Sequence, residues 1–435
     1  MATHSMVPAN RPASLPLLLK QEQCRIQELL GVRHARMAVN PFTYFRGAAV
    51  VMASDLAMRQ NSGLMVQLCG DAHLLNFGFY ASPERQLLFD INDFDETYPG
   101  PYEWDVIRLA TSLVLAARNN GFSADEQQSI CKRALRAYAS AMTEFASMAF
   151  FPMWSYHLSE DRLFDRGGSK NLRQHLEGVV TSALRRDSRQ AVRKLCEVDS
   201  HGQLRFKNNP PLIWRTEDLP EAWKAKLDWD EWGPQMFASY FQSIRPDVRH
   251  VFSHYRLIDS AIKVVGVGSV GTRCAISLFV GQHPDDLLVL QGKEAMPSVL
   301  APHLTTSSFD HQGQRVVLGQ RVMQTASDFF LGWSTNPDGD HAYIRHFRDW
   351  KGSVDVACLD AKGLSDYGEL CAWTIAKAHA RTGDRIAIAE HVGKPKTFAA
   401  WLLEEAMLHA SLNDIDYTIL KESIDSRDLV TSNFF

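Results

Sequence analysis

The sequence predicts an α+β protein of two lobes, one mainly helical and one built on strands. Apolar residues at helical spacing in 106–121, 367–381 and 396–410 indicate helices near both ends of the chain. Between residues 255 and 295 the pattern changes to short β-branched and apolar runs separated by glycines, which is typical of strands. The chain has 435 residues, of which 45% are hydrophobic and 22% charged, so a large globular core is expected.

These patterns divide the chain into five predicted segments. They are a flexible leader (1–30), a part of the helical lobe that carries two polar loops (31–150), a helical insertion or cap (151–250), a β lobe with a glycine-rich hairpin (251–350) and the C-terminal helices of the helical lobe (351–435). Short strands are predicted at 64–69 and 86–91, a turn at 99–105 and a helix at 311–326.

Charge, hydropathy and cysteine usage exclude several classes of partner. The formal net charge is −4, and no basic excess points to nucleic acid. No apolar run approaches the length of about 18 residues that a membrane span requires. The seven cysteines are scattered and include no C-x-x-C pair, which favours reduced thiols in a cytoplasmic protein. The sequence does not indicate an oligomeric state.

Two polar loops carry the strongest chemical signal. Asp71, His73 and Asn76 stand at D-x-H-x-x-N spacing, and the acids Asp93 and Asp95 follow the next apolar run. A carboxylate that orients or deprotonates an acceptor, with an amide and further carboxylates that hold Mg²⁺, is what phosphoryl transfer from a nucleotide requires. Asp71 and His73 are therefore predicted catalytic residues, and Asn76, Asp93 and Asp95 predicted metal ligands. The competing interpretation is that these residues cap turns, and for His73 a role in holding the loop's shape is the favoured one.

A glycine-rich loop supplies a candidate nucleotide site. Gly266, Gly268 and Gly271 match G-x-G-x-x-G, and the apolar, β-branched segment that follows predicts a strand rather than the helix of a dinucleotide fold. Such a hairpin lets backbone approach phosphate oxygens. Lys293 ends the next predicted strand and could reach the phosphates, and Arg273 could also bind phosphate. A plain glycine hairpin and solvated surface cations are the alternatives.

The sequence assigns a kind of ion-pair partner to Lys293 and to Asp105, but no single residue. A kinase-like lysine is usually braced by a helix carboxylate, but the predicted helix 311–326 offers glutamines and no acid, so this partner is unassigned. Asp105 is expected to pair with a buried base such as Arg108 or Arg46. Arg46 itself could bind phosphate or an acidic substrate.

The blocks CGDAHLLNFG, FDINDFDE and PGPYEWDVIRLATSL resemble the HGDxHxxN, IDFDD and GDPxYDLA motifs of aminoglycoside-phosphotransferase-type kinases. This resemblance implies a two-lobed, protein-kinase-like fold in which Asp71 is the catalytic acid, Asn76 and Asp93 are Mg²⁺ ligands and Asp105 is a buried structural acid. Cys69 stands where that family has a histidine, which leaves the role of that histidine open.

The chain from about 30 to 420 also resembles a bacterial family catalogued as a domain of unknown function, through FxYFRGAA, GDAHxxNFG, NDFDE, GxGSVGTR, QGKEA and AHARTGD. In kinases the glycine-rich lobe precedes the catalytic loop, whereas here it follows by almost 200 residues. The order implies a circular permutation, in which the helix YGELCAWTIAKAHARTGD corresponds to the one that normally precedes the catalytic loop. Convergence is the alternative.

The resulting expectation is an ATP- and Mg²⁺-dependent phosphotransferase that acts on a small-molecule or protein hydroxyl. Nucleotidyl transfer is possible with the same parts. A metal-dependent hydrolase built on the Asp and His cluster is one rival, and a nucleotide-binding pseudokinase without activity is another. The nature of the acceptor is not indicated by the sequence.

Overall fold

The computed structural model describes residues 10–165, 168–224, 229–264, 266–305, 309–347 and 349–432. Within these ranges the protein is mixed α+β, which confirms the coarse fold class. Helices from both ends of the chain share one large hydrophobic core, and the principal sheet is built by the middle of the chain.

The first part of the chain forms six helices and two pairs of short strands. They are α1 (Ser14–Glu22), α2 (Leu30–Met37), α3 (Pro41–Gly47), α4 (Ala49–Ala57), β1 (Met65–Leu68), β2 (Phe77–Ala81), β3 (Leu87–Ile91), β4 (Tyr98–Pro101), α5 (Glu103–Asn119) and α6 (Ala124–Ser147). β1 pairs with β4 and β2 with β3, both antiparallel. The turn predicted at 99–105 is therefore partly wrong, because its start pairs with β1. Prolines are tolerated there because β4 has a free edge.

The leader predicted over 1–30 is also different in the structure. Residues 14–22 form α1, and Arg11 fixes the preceding segment, since its Nε donates to Asp55 Oδ1 at 2.7 Å and its Nη2 to Asp416 Oδ2 at 2.6 Å. The expectation of a flexible leader does not hold for this stretch, because the arginine ties it to helices from both ends of the chain. Residues 1–9 lie outside the described ranges.

In the described residues of the predicted insertion (151–165, 168–224 and 229–250, with α13 running on to 252) there are seven helices and three short strands. They are α7 (Phe150–Trp154), α8 (Glu160–Asp165), α9 (Lys170–Leu184), α10 (Ser188–Leu195), β5 (Cys196–Val198), β6 (Leu204–Phe206), β7 (Ile213–Arg215), α11 (Glu221–Lys224), α12 (Trp229–Ser243) and α13 (Pro246–Phe252). Two of its elements join the β lobe. β7 joins the principal sheet, and Val248 and Phe252 of α13 bury against Phe279 and Leu288 of that sheet.

The principal sheet follows. Besides β7 its strands are β8 (Arg256–Lys263), β9 (Cys274–Val280), β10 (Leu287–Glu294), β11 (Gly332–Thr335) and β12 (His341–His346), and the helix α14 (Gln312–Met323) lies between β10 and β11 in the chain. The strand order is β11-β12-β10-β9-β8-β7, and the described neighbours pair antiparallel. The predicted strand–glycine turn–strand hairpin is confirmed, with Ile262 opposite Ala275, as are the next strand and the helix over 311–326.

Three helices complete the chain: α15 (Ala361–Thr382), α16 (Arg385–Val392) and α17 (Pro395–Asp425). α15 is buried along most of its length and packs on α5 and α6. Its last residue lies beside the start of β1, because Gln67 N donates to Thr382 Oγ1 at 3.2 Å. The segment after α17 returns to the N-terminal helices, since Ser432 N donates to Gly31 O of α2 at 3.1 Å. No helix in the described ranges has the length and hydrophobicity that crossing a bilayer requires.

Candidate functional site

A cleft of about 730 Å³ brings most of the predicted site residues together. Its walls come from the principal sheet and from the loops that follow β1 and β3. The predicted residues in its lining are Asp71, His73, Asn76, Asp93, Asp95, Gly266, Gly268 and Lys293. Gly271 and Arg273 lie outside this lining. Gly271 O accepts from Ile26 N at 2.8 Å, and Arg273 Nη1 pairs with Asp340 at 2.6 Å and Glu294 at 3.3 Å.

The first turns of α5 position the loop that carries Asp71. Asp105 is buried and accepts from the backbone N–H groups of Cys69, at 2.7 Å, and Gly70, at 3.0 Å. Asp105 meets a buried base, as predicted, but that base is His379, whose Nε2 lies 3.4 Å from Asp105 Oδ2, and not Arg108 or Arg46. Arg108, one turn later on the same helix, pairs with Asp71, with Nε and Nη2 at 2.8 and 2.6 Å from Oδ1. A buried arginine in the apolar helix VIRLATSLV was the sequence signal for such a partner, since buried charges are paired.

Gly70 allows this loop to touch the acidic loop that follows β3. Its φ is +83°, and a Cβ at this position would lie 2.2 Å from the carbonyl oxygen of Glu96. No side chain fits there, and the left-handed backbone also favours glycine. The close approach places the segment with Asp71 directly against the segment with Asp93 and Asp95.

His73 and Asn76 hold the shape of the first loop. His73 is buried, its Nδ1 accepts from Leu75 N at 3.2 Å, and its Nε2 lies 3.7 Å from Asp71 Oδ2. Burial lowers the pKa of His73 to about 4, so the imidazole is neutral at neutral pH. Asn76 Nδ2 donates to Asp71 O at 2.7 Å, which leaves its Oδ1 as a possible ligand atom.

Replacing His73 with asparagine is expected to weaken the pH dependence of stability. The pKa of His73 rises from about 4 in the folded protein to about 6.5 on unfolding, so the unfolded state binds the extra proton between these values. Wild-type stability therefore falls as the pH drops from about 6.5 to 4, with about 3 kcal/mol from this residue. Urea unfolding at several pH values measures the difference, with His201→Asn at an exposed position as the control. If the free energy of unfolding depends on pH in the same way in the wild type and in His73→Asn, the lowered pKa of His73 is contradicted.

Lys293 faces the acidic loop. It is buried, and its Nζ lies 2.5 Å from Asp95 Oδ2 and 3.7 Å from Asp93 Oδ1. The second oxygen of Asp95 accepts from the Tyr343 hydroxyl at 2.5 Å. Burial lowers the pKa of Lys293, but the two carboxylates outweigh it and raise the pKa well above the ordinary value. The acid that faces this lysine therefore comes from a distant loop, and Tyr343 is a site residue that the sequence analysis missed.

The helix over 311–326 has no acid that faces Lys293, but it contributes an arginine that binds the acidic loop. Arg315 of α14 donates to three backbone carbonyls, those of Thr97 at 2.6 Å, Met296 at 2.9 Å and Asp95 at 3.0 Å. It holds the acidic loop by its backbone and makes no hydrogen bond to the carboxylates of Asp93 and Asp95.

Asp93 has an oxygen that suits a metal ligand. Burial raises its pKa, but the charges of Lys293, Arg345 and Lys351 lower it to about 2, so the carboxylate is ionised. Its Oδ1 is buried and accepts no hydrogen bond from the described residues. In the same ranges no group of three or more His, Cys, Asp or Glu side chains is arranged to hold a metal ion. Mg²⁺ commonly uses one or two protein ligands and completes its shell with substrate phosphates and water, so Asn76 and Asp93 fit this ion.

The glycine turn is fixed by arginines from the N-terminal helices. Arg25 Nη1 donates to Val270 O at 2.6 Å, and Arg33 Nη1 to Gly268 O at 3.3 Å. Ser269 Oγ lies 3.5 Å from Asp95 Oδ2. The sequence analysis missed Arg25 and Arg33, because no local pattern indicates a partner more than 200 residues away.

A comparison with family models places the chain among known sequences. The model described as "Uncharacterized protein conserved in bacteria (DUF2252)" matches residues 25–423. No curated protein and no solved structure gives a significant match. The matched range agrees with the likeness that the motifs indicate over about 30–420. Because the model spans most of the sequence, the chain belongs to the bacterial DUF2252 family.

Proposed function

We propose that this protein is an ATP- and Mg²⁺-dependent phosphotransferase with a circularly permuted kinase-like fold. One observation carries the proposal. Lys293, on the strand after the glycine hairpin, contacts Asp95 from a loop 198 residues away, in the same cleft as Asp71. A phosphate-binding lysine, acidic metal ligands and a catalytic acid are the parts that a kinase combines.

The order of elements in the sheet supports the kinase-like reading. The glycine hairpin β8–β9 is followed by β10 with Lys293 and then by α14, and protein kinases likewise have a glycine-rich loop, a lysine on the third strand and then a helix. α14 lacks the usual brace acid. That difference is the one observation that favours the pseudokinase alternative.

Two contacts support the permutation. The end of α15 lies against β1, the strand that leads into the loop with Asp71. In a kinase the corresponding helix comes before that strand in the chain, whereas here α15 comes after it. The C-terminal segment also packs on the N-terminal helices, since Ser432 contacts Gly31, which is compatible with a permuted order. A short link from Thr382 to Met65 would restore the ordinary order.

Each site residue has a defined role in this proposal. Asp71 orients the acceptor hydroxyl and takes its proton, and Asn76 and Asp93 would hold Mg²⁺, which neutralises charge on the phosphates. Lys293 binds phosphate oxygens, and the backbone at Gly266 and Gly268 lies over them. The acceptor is a small-molecule or protein hydroxyl.

Binding of ATP tests the proposal directly. ATP at about 100 times its dissociation constant should raise the melting temperature of the wild type by about 3 °C in the presence of Mg²⁺. The shift should be smaller without Mg²⁺ and should be lost in Asp93→Ala, because this variant lacks the metal ligand. Asp338→Ala, which removes an exposed acid of the β11–β12 turn, should behave like the wild type. Stabilisation by divalent metal alone, with no response to nucleotide, would favour the hydrolase.

A further inference from the structure

The end of α3 is tied to the loop with Asp71. Arg108, whose Nε and Nη2 pair with the Asp71 carboxylate, also donates from Nη2 to Phe45 O at 2.8 Å. Its guanidinium lies over the Phe45 ring, 3.8 Å from the centroid. Arg108 is buried, so these contacts set the distance between the last turn of α3 and Asp71.

The same turn is tied to the glycine loop. Arg33 is fully buried, and its Nη2 donates to Gly47 O at 2.7 Å while its Nη1 donates to Gly268 O at 3.3 Å. Arg46 therefore lies between Phe45, whose carbonyl binds Arg108, and Gly47, whose carbonyl binds Arg33. A Cβ at Gly268 would lie 3.5 Å from Arg46 O, which puts the two backbones in direct contact. Arg46 is thus held in place relative to both halves of the cleft.

The side chain of Arg46 lines the cleft without a committed partner. Its Nε is buried and makes no hydrogen bond to any described residue. Burial lowers its pKa, and the nearby charge of Asp71 opposes this, but the Asp71 carboxylate is already paired with Arg108. Burying a cation without a dedicated counter-charge costs free energy, so a ligand anion is the missing partner.

We propose that Arg46 binds the phosphoryl group that is transferred, between Asp71 and the glycine turn. This inference rests on the proposed function. A guanidinium presents parallel N–H donors to phosphate oxygens, and it stays charged throughout the reaction. It comes from the N-terminal helices, outside the elements that the kinase resemblance covers.

The role follows from where charge develops. The bond between the terminal phosphorus and its bridging oxygen breaks, a bond to the acceptor oxygen forms, the acceptor proton passes to Asp71, and ADP leaves. During this step charge is spread over the three equatorial oxygens of the phosphoryl group. An arginine placed on them contributes roughly 10³–10⁵-fold in rate in enzymes that use one.

The experiment compares binding of Mg²⁺–ADP with binding of Mg²⁺–ADP plus aluminium fluoride, which mimics the phosphoryl group in transfer. Titration calorimetry is performed on the wild type, Arg46→Ala, Arg46→Lys and the control Arg118→Ala, which loses a pair with Asp414 outside the cleft lining. ADP affinity should agree within about twofold in all four proteins. The fluoride-dependent gain should fall at least about tenfold in Arg46→Ala and less in Arg46→Lys, whose charge remains.

The outcomes separate the inference from the proposed function. If the wild type does not bind Mg²⁺–ADP, the proposed function fails and the inference with it. If the wild type binds and Arg46→Ala keeps the full fluoride-dependent gain, the inference is overturned while the phosphotransferase stands. Equal losses of ADP and ADP–fluoroaluminate binding would mean a structural role only. Should Arg46→Ala not fold, the same comparison is made with Arg46→Lys, because lysine keeps the positive charge but lacks the parallel N–H donors of the guanidinium.

Discussion

Replacing Lys377 with methionine is expected to lower the free energy of unfolding by about 3–5 kcal/mol. Lys377 of α15 is 0% exposed and Asp90 of β3 is 2% exposed, and the two form an ion pair. Removing the lysine leaves a carboxylate in the core without its counter-charge, which costs more than the pair contributes. Urea unfolding of both proteins measures the loss.

Two further variants make the test specific. Lys362→Met, on the same helix, removes an exposed lysine that pairs with Asp366 and should change stability by less than about 1 kcal/mol, because Asp366 keeps its pair with Arg133. The double variant Asp90→Leu with Lys377→Met should regain most of the stability, because no buried charge is left unpaired. A loss in Lys377→Met as small as that in Lys362→Met would refute the expectation. The two residues of this pair are 287 positions apart in the chain. The loss of stability therefore shows how strongly α15 holds β3, the strand that leads into the acidic loop.

The second large effect is expected for Lys293→Met, which should lower ATP turnover by about 10²–10³-fold. Losing one preorganised group that stabilises transition-state charge typically costs this much. Lys293 is buried and contacts the carboxylates of Asp93 and Asp95. The measurement is ADP release in the presence of Mg²⁺, with the melting temperature as a check on folding.

This variant also separates the enzyme classes. A metal-dependent hydrolase would not need a phosphate-binding lysine, so unchanged metal-dependent hydrolysis by Lys293→Met would contradict the phosphotransferase. A pseudokinase would show no turnover in the wild type although nucleotide binds. Lys362→Met, whose side chain is exposed and outside the cleft lining, serves as the matched control for both readouts.

Several features were accessible from short stretches of sequence. The glycine hairpin, the strand with Lys293 and the helix over 311–326 were predicted and are confirmed, because alternation, helical spacing and glycine turns are local properties. The two polar loops were also identified as neighbours of short strands. The roles of their residues stay predictions, although most of those residues line one cleft.

The errors have a common cause. The predicted flexible leader, the turn at 99–105 and the boundary placed at residue 250 were each inferred from local composition, and each is changed by contacts with distant elements. Arg11 ties α1 to α4 and α17, β4 pairs with β1, and β7 joins the sheet that was predicted to begin after residue 250. Composition carries no information about such partners.

Local pattern thus determines the kinds of element in this protein, its α+β class and the residue types that can do phosphate chemistry. Only the tertiary structure decides which charges meet. Asp71 pairs with Arg108 of α5, Lys293 faces Asp95, and Asp105 binds backbone and His379 instead of an arginine. The physical reason is that a buried charge must be compensated by whatever the fold brings near it, and sequence separation does not limit which group that is.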